Sequence, residues 1–192
     1  MRQTVLDPSD PRLVRLLSYY RDAELHGATL LLHLAAHEDE PSARASLTRH
    51  IADEARHAWL ITERIAALGS APERVDDGYQ VRMGRVAAIP RTLVDLYAVT
   101  LVAERRARAR YTAHFESGLA DPATADLLRT ISTDEVWHLD WIGRRLAAFA
   151  AADQARVAAA LRRYEEADAR VSADLGALEK ETFGVNLSAS PA

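Results

Sequence analysis

Residues 53–57 read Asp-Glu-Ala-Arg-His and residues 134–138 read Asp-Glu-Val-Trp-His, so the chain carries two copies of Asp-Glu-x-x-His. In each copy the glutamate and the histidine are three residues apart, which places both side chains on one face of a helix. An isolated glutamate precedes each copy: Glu24 lies 30 residues before the first motif glutamate, and Glu104 lies 31 residues before the second. The matching spacing indicates an internal repeat of two helix pairs.

The glutamates and histidines of this repeat lie within apolar helical stripes. Leucine and isoleucine flank both motif glutamates at helical spacing, and leucine or tyrosine shares a face with each isolated glutamate. An ionised carboxylate without a partner is unstable in such surroundings, whereas two divalent cations balance four carboxylates. The pattern therefore predicts a four-helix bundle that holds two metal ions. The predicted metal ligands are Glu24, Glu54, His57, Glu104, Glu135 and His138.

The composition favours a folded protein and excludes several kinds of site. The 192 residues are 48% apolar and 27% charged, which suits one domain with a sizeable core over residues 1–192. Because cysteine is absent, disulfides, thiolate metal sites and cysteine-ligated iron–sulfur clusters are excluded. The first residues lack the apolar run of a signal peptide and no long apolar stretch follows, so we expect a cytoplasmic protein without a membrane span.

Proline and glycine divide the chain into five predicted helices, and their connections predict the topology. The helices are predicted over residues 11–38, 41–69, 91–118, 122–149 and 153–182, with amino-terminal caps at Asp10, Asp121 and Asp153 and a stop at Gly69. Residues 70–90 show no clean helical period and are predicted to form a long crossover. Two short turns and one crossover predict an all-α four-helix bundle over about residues 11–149. The fifth helix carries an apolar stripe and is expected to pack on the bundle or on a partner chain, which leaves a homodimer open.

The ligand pattern resembles that of the ferritin-like di-iron carboxylate superfamily. In that superfamily, four successive helices supply Glu, Glu-x-x-His, Glu and Glu-x-x-His, and the match covers about residues 11–150. The resemblance implies a ferritin-like bundle with two iron ions, or with manganese or a mixed iron–manganese pair. It also implies that one metal binds Glu24 and His57, that the other binds Glu104 and His138, and that the two motif glutamates bridge them.

The aspartate that opens each motif has two interpretations. The first motif resembles that of bacterial multicomponent monooxygenase hydroxylases, in which the aspartate hydrogen-bonds a ligand histidine. By this resemblance Asp53 and Asp134 orient the ligand imidazoles, which we favour over ordinary acids on the helix surface. Arg56, inside the first motif, is expected to pair with an acid across the bundle.

Within the superfamily, the ligand set resembles that of dioxygen-activating oxygenases and oxidases. Rubrerythrin-like proteins carry a second glutamate where this chain has Ala107, and iron-storage ferritins usually lack the second motif histidine, which is His138 here. The resemblance implies an O2-dependent di-iron oxidoreductase, such as a monooxygenase, that uses an external electron donor and acts on a small organic substrate. A ferroxidase or other iron-handling protein stays open. So does a tRNA-modifying hydroxylase, although the basic cluster at residues 105–110 is too small to predict a nucleic-acid interface.

Other polar and small residues near the motifs are more ambiguous. His50 lies four residues before Glu54; it either reaches the edge of the site or is an ordinary polar histidine, which we favour. For the tyrosines at 20, 97 and 111, hydrogen bonds to ligand carboxylates are one interpretation, and ordinary burial is favoured for at least two of them. Gly27 leaves room for oxygen or substrate, or marks a close helix contact. His114 fits no ligand spacing and is expected to be solvated or capping.

Overall fold

A computed structural model describes residues 10–87 and 89–183 of the chain, and this part contains six helices and no β-strand. The all-α class is therefore confirmed. The helices are α1 Pro11–Ala35, α2 Pro41–Ala67, α3 Tyr79–Val86, α4 Leu93–Glu116, α5 Pro122–Ala152 and α6 Gln154–Phe183.

The helix boundaries follow the predicted punctuation. The Asp10 carboxylate accepts a hydrogen bond from the Arg12 backbone N–H, and Asp121 caps α5 in the same way. Proline occupies the first turn of α1, α2 and α5, where a missing N–H leaves no hydrogen bond unmade. Gly69, just past α2, has φ +75°, a left-handed conformation that glycine adopts without strain. The predicted caps and the predicted stop at Gly69 are confirmed.

The predicted crossover contains the short helix α3, which the sequence analysis missed. Its two buried side chains, Tyr79 and Met83, pack against α6, and the Tyr79 hydroxyl donates a hydrogen bond of 2.8 Å to Asp168. Two buried side chains in eight residues do not establish a helical period, so the formation of this helix depends on tertiary packing.

Two apolar clusters occupy opposite ends of the space between α1, α2, α4 and α5. The Leu16 cluster comprises Leu13, Val14, Leu16, Leu17, Tyr20, Ile61, Ile65, Tyr111, Leu119, Leu128 and Ile131. The Leu101 cluster comprises Leu31, Leu34, Leu47, Val94, Leu96, Tyr97, Ala98, Leu101, Val102, Trp141, Ile142, Leu146, Val157, Ala160 and Tyr164. Along each of the four helices, the predicted ligands lie between the residues of one cluster and those of the other.

The order in which each helix meets the two clusters gives its direction. Helices α1 and α5 contribute first to the Leu16 cluster and later to the Leu101 cluster, whereas α2 and α4 do the reverse. Thus α1 is antiparallel to α2, and α4 is antiparallel to α5. Because α2 and α4 run parallel, the connection between them returns along the length of the molecule. Contacts between α1 and α2, α2 and α5, α5 and α4, and α4 and α1 close a ring of four helices.

Helix α6 lies outside this ring and packs on α3, α4 and α5. Its predicted stripe is buried at Tyr164, Val171 and Leu175, while Leu178 is 37% exposed. The described residues thus support the packing of this helix on its own chain, and a homodimer stays a prediction. None of the described helices has the length and apolarity needed to cross a membrane.

Candidate metal centre

The structure brings all six predicted ligands together between the Leu16 and Leu101 clusters. Each of the four ring helices contributes to this group: α1 and α4 supply one glutamate each, and α2 and α5 supply a glutamate and a histidine each. All six residues are at most 5% exposed. The assignment of these residues as metal ligands stays a prediction, and their convergence is an observation.

A first group of ligand atoms comes from Glu24, Glu54, His57 and Glu135, and these atoms lie within 4.8 Å of one another. His57 is central to the group. Its Nδ1 lies 3.1 Å from Glu24 Oε2, 3.6 Å from Glu135 Oε1 and 3.9 Å from Glu54 Oε1. One cation at this position would meet three carboxylates and one imidazole.

A second group comes from His50, Glu54, Glu104 and His138, again within 4.8 Å. His138 Nδ1 lies 3.6 Å from both Glu54 Oε1 and Glu104 Oε2, and 2.9 Å from Glu135 Oε2. Glu54 belongs to both groups, and Glu135 contacts His57 of the first group and His138 of the second. The motif glutamates therefore occupy positions from which each could bridge two cations.

His50 is part of this centre, although the sequence analysis favoured an ordinary polar histidine. The side chain is fully buried, and its Nε2 lies 3.2 Å from Glu104 Oε1 and 3.5 Å from Glu54 Oε1. The signal was the spacing His50-x3-Glu54-x2-His57, which puts three polar side chains on one face of α2. One sequence could not separate that spacing from coincidence.

The two motif aspartates contact the motif histidines crosswise. Asp134 Oδ2, on α5, lies 3.3 Å from Nε2 of His57 on α2, while Asp53 Oδ2, on α2, lies 3.5 Å from Nε2 of His138 on α5. Each imidazole that donates from Nε2 to an aspartate keeps the lone pair of Nδ1 for the glutamate side, where a cation would bind. The aspartates thus lie where orienting residues belong.

Arg56 joins the two aspartates at the rim of the centre. Its Nη2 lies 2.6 Å from Asp134 Oδ2 and 3.4 Å from Asp53 Oδ1, which confirms the predicted pairing across the helices. Burial raises the pKa of Asp134, but the hydrogen bonds from Arg56 and His57 outweigh burial and hold that pKa below its ordinary value. Asp134 therefore stays anionic beside the imidazole.

Burial and mutual repulsion oppose the joint ionisation of Glu54, Glu104 and Glu135. Burial and the neighbouring carboxylates raise the pKa of Glu54 and of Glu135 well above the ordinary value. Burial also acts on Glu104, but the His50 charge and contacts with Glu135 and His138 outweigh burial and hold its pKa well below the ordinary value. The charge of Glu104 thus favours the protonated forms of Glu54 and Glu135.

The pKa values of the two α2 histidines in the centre, His50 and His57, shift in opposite directions. Burial lowers the pKa of His50 despite the nearby Glu104 charge. For His57, burial acts in the same direction, but hydrogen bonds to Glu24 and Asp134 outweigh it and raise the pKa above the ordinary value. Glu54 Oε1 and both His50 ring nitrogens are buried without a hydrogen-bond partner among the described residues. Buried polar atoms of this kind need a ligand, and these His and Glu groups could hold metal ions.

No family model, curated protein or solved structure matches this chain.

Small and aromatic residues shape the space around the carboxylates. The Tyr111 hydroxyl donates a hydrogen bond to Glu24 Oε1, whereas Tyr20 contacts His114 and Tyr97 donates to Glu38. Two of the three tyrosines are thus away from the ligands, as favoured.

Gly27 and His114 each differ from a simple expectation. A Cβ at Gly27 would overlap Glu54 Oε2, so this glycine gives the shared carboxylate its space. His114 is fully buried beside Tyr20, so the expectation of a solvated or capping histidine is wrong. The aromatic ring of Tyr20 and the surrounding apolar residues of the Leu16 cluster explain that burial.

An apolar groove of about 490 Å³ lies outside the helix ring, between α1, α3, α4 and α6. Leu30, Met83, Val99, Ala103 and Tyr164 are among its lining residues. The two ring helices that form its floor, α1 and α4, also carry the isolated glutamates of the centre. Its volume is within the range of small-molecule sites.

Proposed function

We propose that the chain is a ferritin-like di-iron oxidoreductase that activates dioxygen and oxidises a small organic compound. The observation that carries the proposal is the pair of overlapping His/Glu groups that share Glu54 and are buried between two apolar clusters. A bundle with one long crossover and a Glu, Glu-x-x-His repeat is the arrangement in which ferritin-like proteins hold two metals. The helix directions described above support that topology.

The donor set favours iron or manganese. Carboxylates and imidazoles together suit these metals, whereas an all-carboxylate site would favour magnesium or calcium and a thiolate site zinc. When bound, an iron pair supplies the reducing electrons that dioxygen chemistry needs. An external donor must restore these electrons, because the chain has no cysteine to hold a redox cluster of its own.

The residues of the chain have distinct parts in this proposal. The six predicted ligands bind and position the cations, Asp53 and Asp134 orient the two imidazoles, and Tyr111 holds one carboxylate oxygen of Glu24. The Leu16 and Leu101 clusters exclude bulk water on both sides. A dry, fixed ligand set of this kind strengthens every electrostatic interaction inside the centre.

The apolar groove supports an organic substrate of low polarity. We assign the substrate to this groove because its wall is mostly aliphatic and aromatic. For a hydroxylation, one oxygen atom of O2 enters a C–H bond of the substrate. The other leaves as water, with two electrons from the external donor and two protons from solvent.

The test is anaerobic loading with ferrous iron, followed by oxygen exposure with an added reductant and a panel of apolar aromatic and aliphatic compounds. We expect about two irons per chain, in line with the two ligand groups, and 18O from 18O2 in one class of compound. No iron binding, or no oxygen uptake by the loaded protein, would refute the proposal. Hundreds of irons per assembly would instead favour the ferroxidase or storage alternative.

A pair of matched variants tests the groove in the same assay. Thr29 is exposed, lines the groove and hydrogen-bonds Leu25 O at 2.9 Å; Thr130 is exposed on α5 and makes the same bond to Asp126 O at 2.9 Å. Thr29→Trp should fill the groove and lower substrate oxidation about tenfold or more without changing iron content. Thr130→Trp should change neither. Equal effects of the two variants would remove the groove from the proposal.

A further inference from the structure

His50 differs from an ordinary buried histidine in having no hydrogen-bond partner. Both ring nitrogens are buried, and neither has such a partner among the described residues. Buried imidazoles normally donate one N–H and accept at the other nitrogen, because an unmade hydrogen bond costs about 1–3 kcal/mol. A bound ligand would supply the missing partner of this buried side chain.

The surroundings of His50 point to a cation. Its ring lies 3.6 Å, centroid to centroid, from the His138 ring, with 31° between the ring planes. Its Nε2 lies 3.2 Å from Glu104 Oε1 and 3.5 Å from Glu54 Oε1, but neither contact has the geometry of a hydrogen bond. Two imidazoles and two carboxylates thus direct their donor atoms at one small volume.

We infer that His50 is a third imidazole ligand, so that the centre has two unlike metal positions. This inference rests on the proposed function, and it goes beyond the symmetric set of four glutamates and two histidines. The carboxylate-rich position is bounded by Glu24, Glu54, His57 and Glu135, and the imidazole-rich position by His50, Glu54, Glu104 and His138. The internal repeat does not produce this difference, because residue 131, the counterpart of His50 in the second motif, is isoleucine.

The difference in donors gives the two positions different metal preferences. Ferrous iron binds imidazole more strongly than manganese does, whereas carboxylate ligands suit manganese. The imidazole-rich position is therefore expected to fill first and to retain iron. The carboxylate-rich position is expected to fill second and to exchange iron for manganese. Equimolar iron and manganese should then give a mixed pair with iron on the His50 side.

His114 provides a matched control for His50. Both imidazoles are fully buried on ring helices, and both have a ring nitrogen without a hydrogen-bond partner among the described residues. His114 lies outside the two ligand groups, beside Tyr20. His50→Gln and His114→Gln therefore make the same chemical change inside and outside the centre.

Metal binding by the two variants and the wild type is measured by anaerobic titration with ferrous ion alone, with elemental analysis after gel filtration. We expect two unequal steps in the wild type and in His114→Gln. In His50→Gln, the tighter step should weaken at least tenfold, as the loss of a direct ligand requires. Competition with Mn2+, followed by electron paramagnetic resonance, should show that His50→Gln has lost the preference for iron.

A second measurement uses the wild-type protein and does not depend on the folding of a variant. X-ray absorption at the iron edge should detect about three imidazoles per two irons, rather than the two that His57 and His138 alone would supply. Two imidazoles, or a His50→Gln variant that binds metal as His114→Gln does, would overturn the inference and leave the di-iron proposal intact. A wild type that binds no metal pair would overturn both.

Discussion

His50 and His114 are both fully buried histidines, and at the residue scale their neighbours decide what each imidazole does. His50 faces two carboxylates and the ring of His138, whereas His114 faces Tyr20 and the positive charge of Arg110. Burial lowers the pKa of both imidazoles, but only His50 lies among carboxylates with which it could hold a cation. Two histidines with the same exposure thus differ in what they could bind.

The His114 environment predicts how stability depends on pH. Burial, together with the Arg110 charge and against that of Asp121, lowers its pKa to about 4. The unfolded state therefore takes up a proton at higher pH than the folded state. Stability from this residue is fully present above the ordinary pKa of about 6.5 and is lost as the pH falls toward about 4.

The measurement is urea unfolding of the metal-free protein at about pH 7.5 and about pH 5, for the wild type and His114→Gln. The wild type should lose about 2 kcal/mol more unfolding free energy over this interval than the variant does. Glutamine keeps a polar partner for the Tyr20 hydroxyl without a proton to titrate. Equal losses in the two proteins would show that His114 does not titrate in this range.

At the element scale, α2 and α5 are tied together through the centre. The aspartate of each helix contacts the histidine of the other, and Arg56 closes the rim. The motif on one helix is therefore incomplete without the motif on its partner. This dependence explains why the two copies occur together at matching spacing.

The contact between Asp134 and His57 predicts that Asp134 affects metal affinity through that histidine. Asp134→Asn removes the negative charge that orients His57, so metal affinity should fall about 10–100-fold, as for other residues that hydrogen-bond a ligand histidine. The control is Asp126→Asn, on the same helix, which removes an exposed ion pair with Arg129. That pair contributes little, because solvent screens it. Competition with a coloured chelator measures both affinities, and equal values would contradict the role of Asp134.

At the scale of the whole molecule, a polar layer separates two apolar clusters. The Leu16 and Leu101 clusters provide the burial that stabilises the fold, and the buried carboxylates between them oppose it in the metal-free protein. Metal binding removes that opposition. Stability and metal content should therefore be linked.

Glu54→Gln tests the link, because it removes a buried charge and the ligand shared by both groups. Metal at about one hundred times its Kd should raise the wild-type Tm by about 5–10 °C for each position filled. The metal-free variant should melt at or above the metal-free wild type, yet show little rise with metal. Differential scanning calorimetry with and without chelator measures both quantities.

Glu38→Gln serves as the control for this comparison. Glu38 is equally buried, but Arg145 pairs with it at 2.7 Å and Tyr97 donates to it at 2.6 Å. Its loss leaves the partly buried Arg145 guanidinium without its carboxylate partner, so this variant should melt lower in both states and keep the full rise with metal. If Glu54→Gln instead melts lower without metal and keeps the full rise in Tm with metal, as expected for Glu38→Gln, then Glu54 is a structural residue and not a shared ligand.

Local chemistry made much of this protein predictable from its sequence. Asp10, Asp121 and Gly69 mark helix ends because capping and left-handed backbone depend on the residue and its nearest neighbours. The Glu-x-x-His spacing places two donors on one face because the helical period is the same in every α-helix. By itself, the sequence therefore determined the long helices, the apolar stripes and the six polar positions that face inward.

Only the tertiary structure decided how those faces meet. That His50 joins the centre, that each aspartate contacts the histidine of the other motif, and that α3 forms in the crossover all depend on contacts between helices far apart in sequence. The helical period specifies the direction of a side chain around its own axis, but not the level at which a neighbouring helix presents its own side chains. Helix packing sets that level, and with it which donors come within reach of one cation.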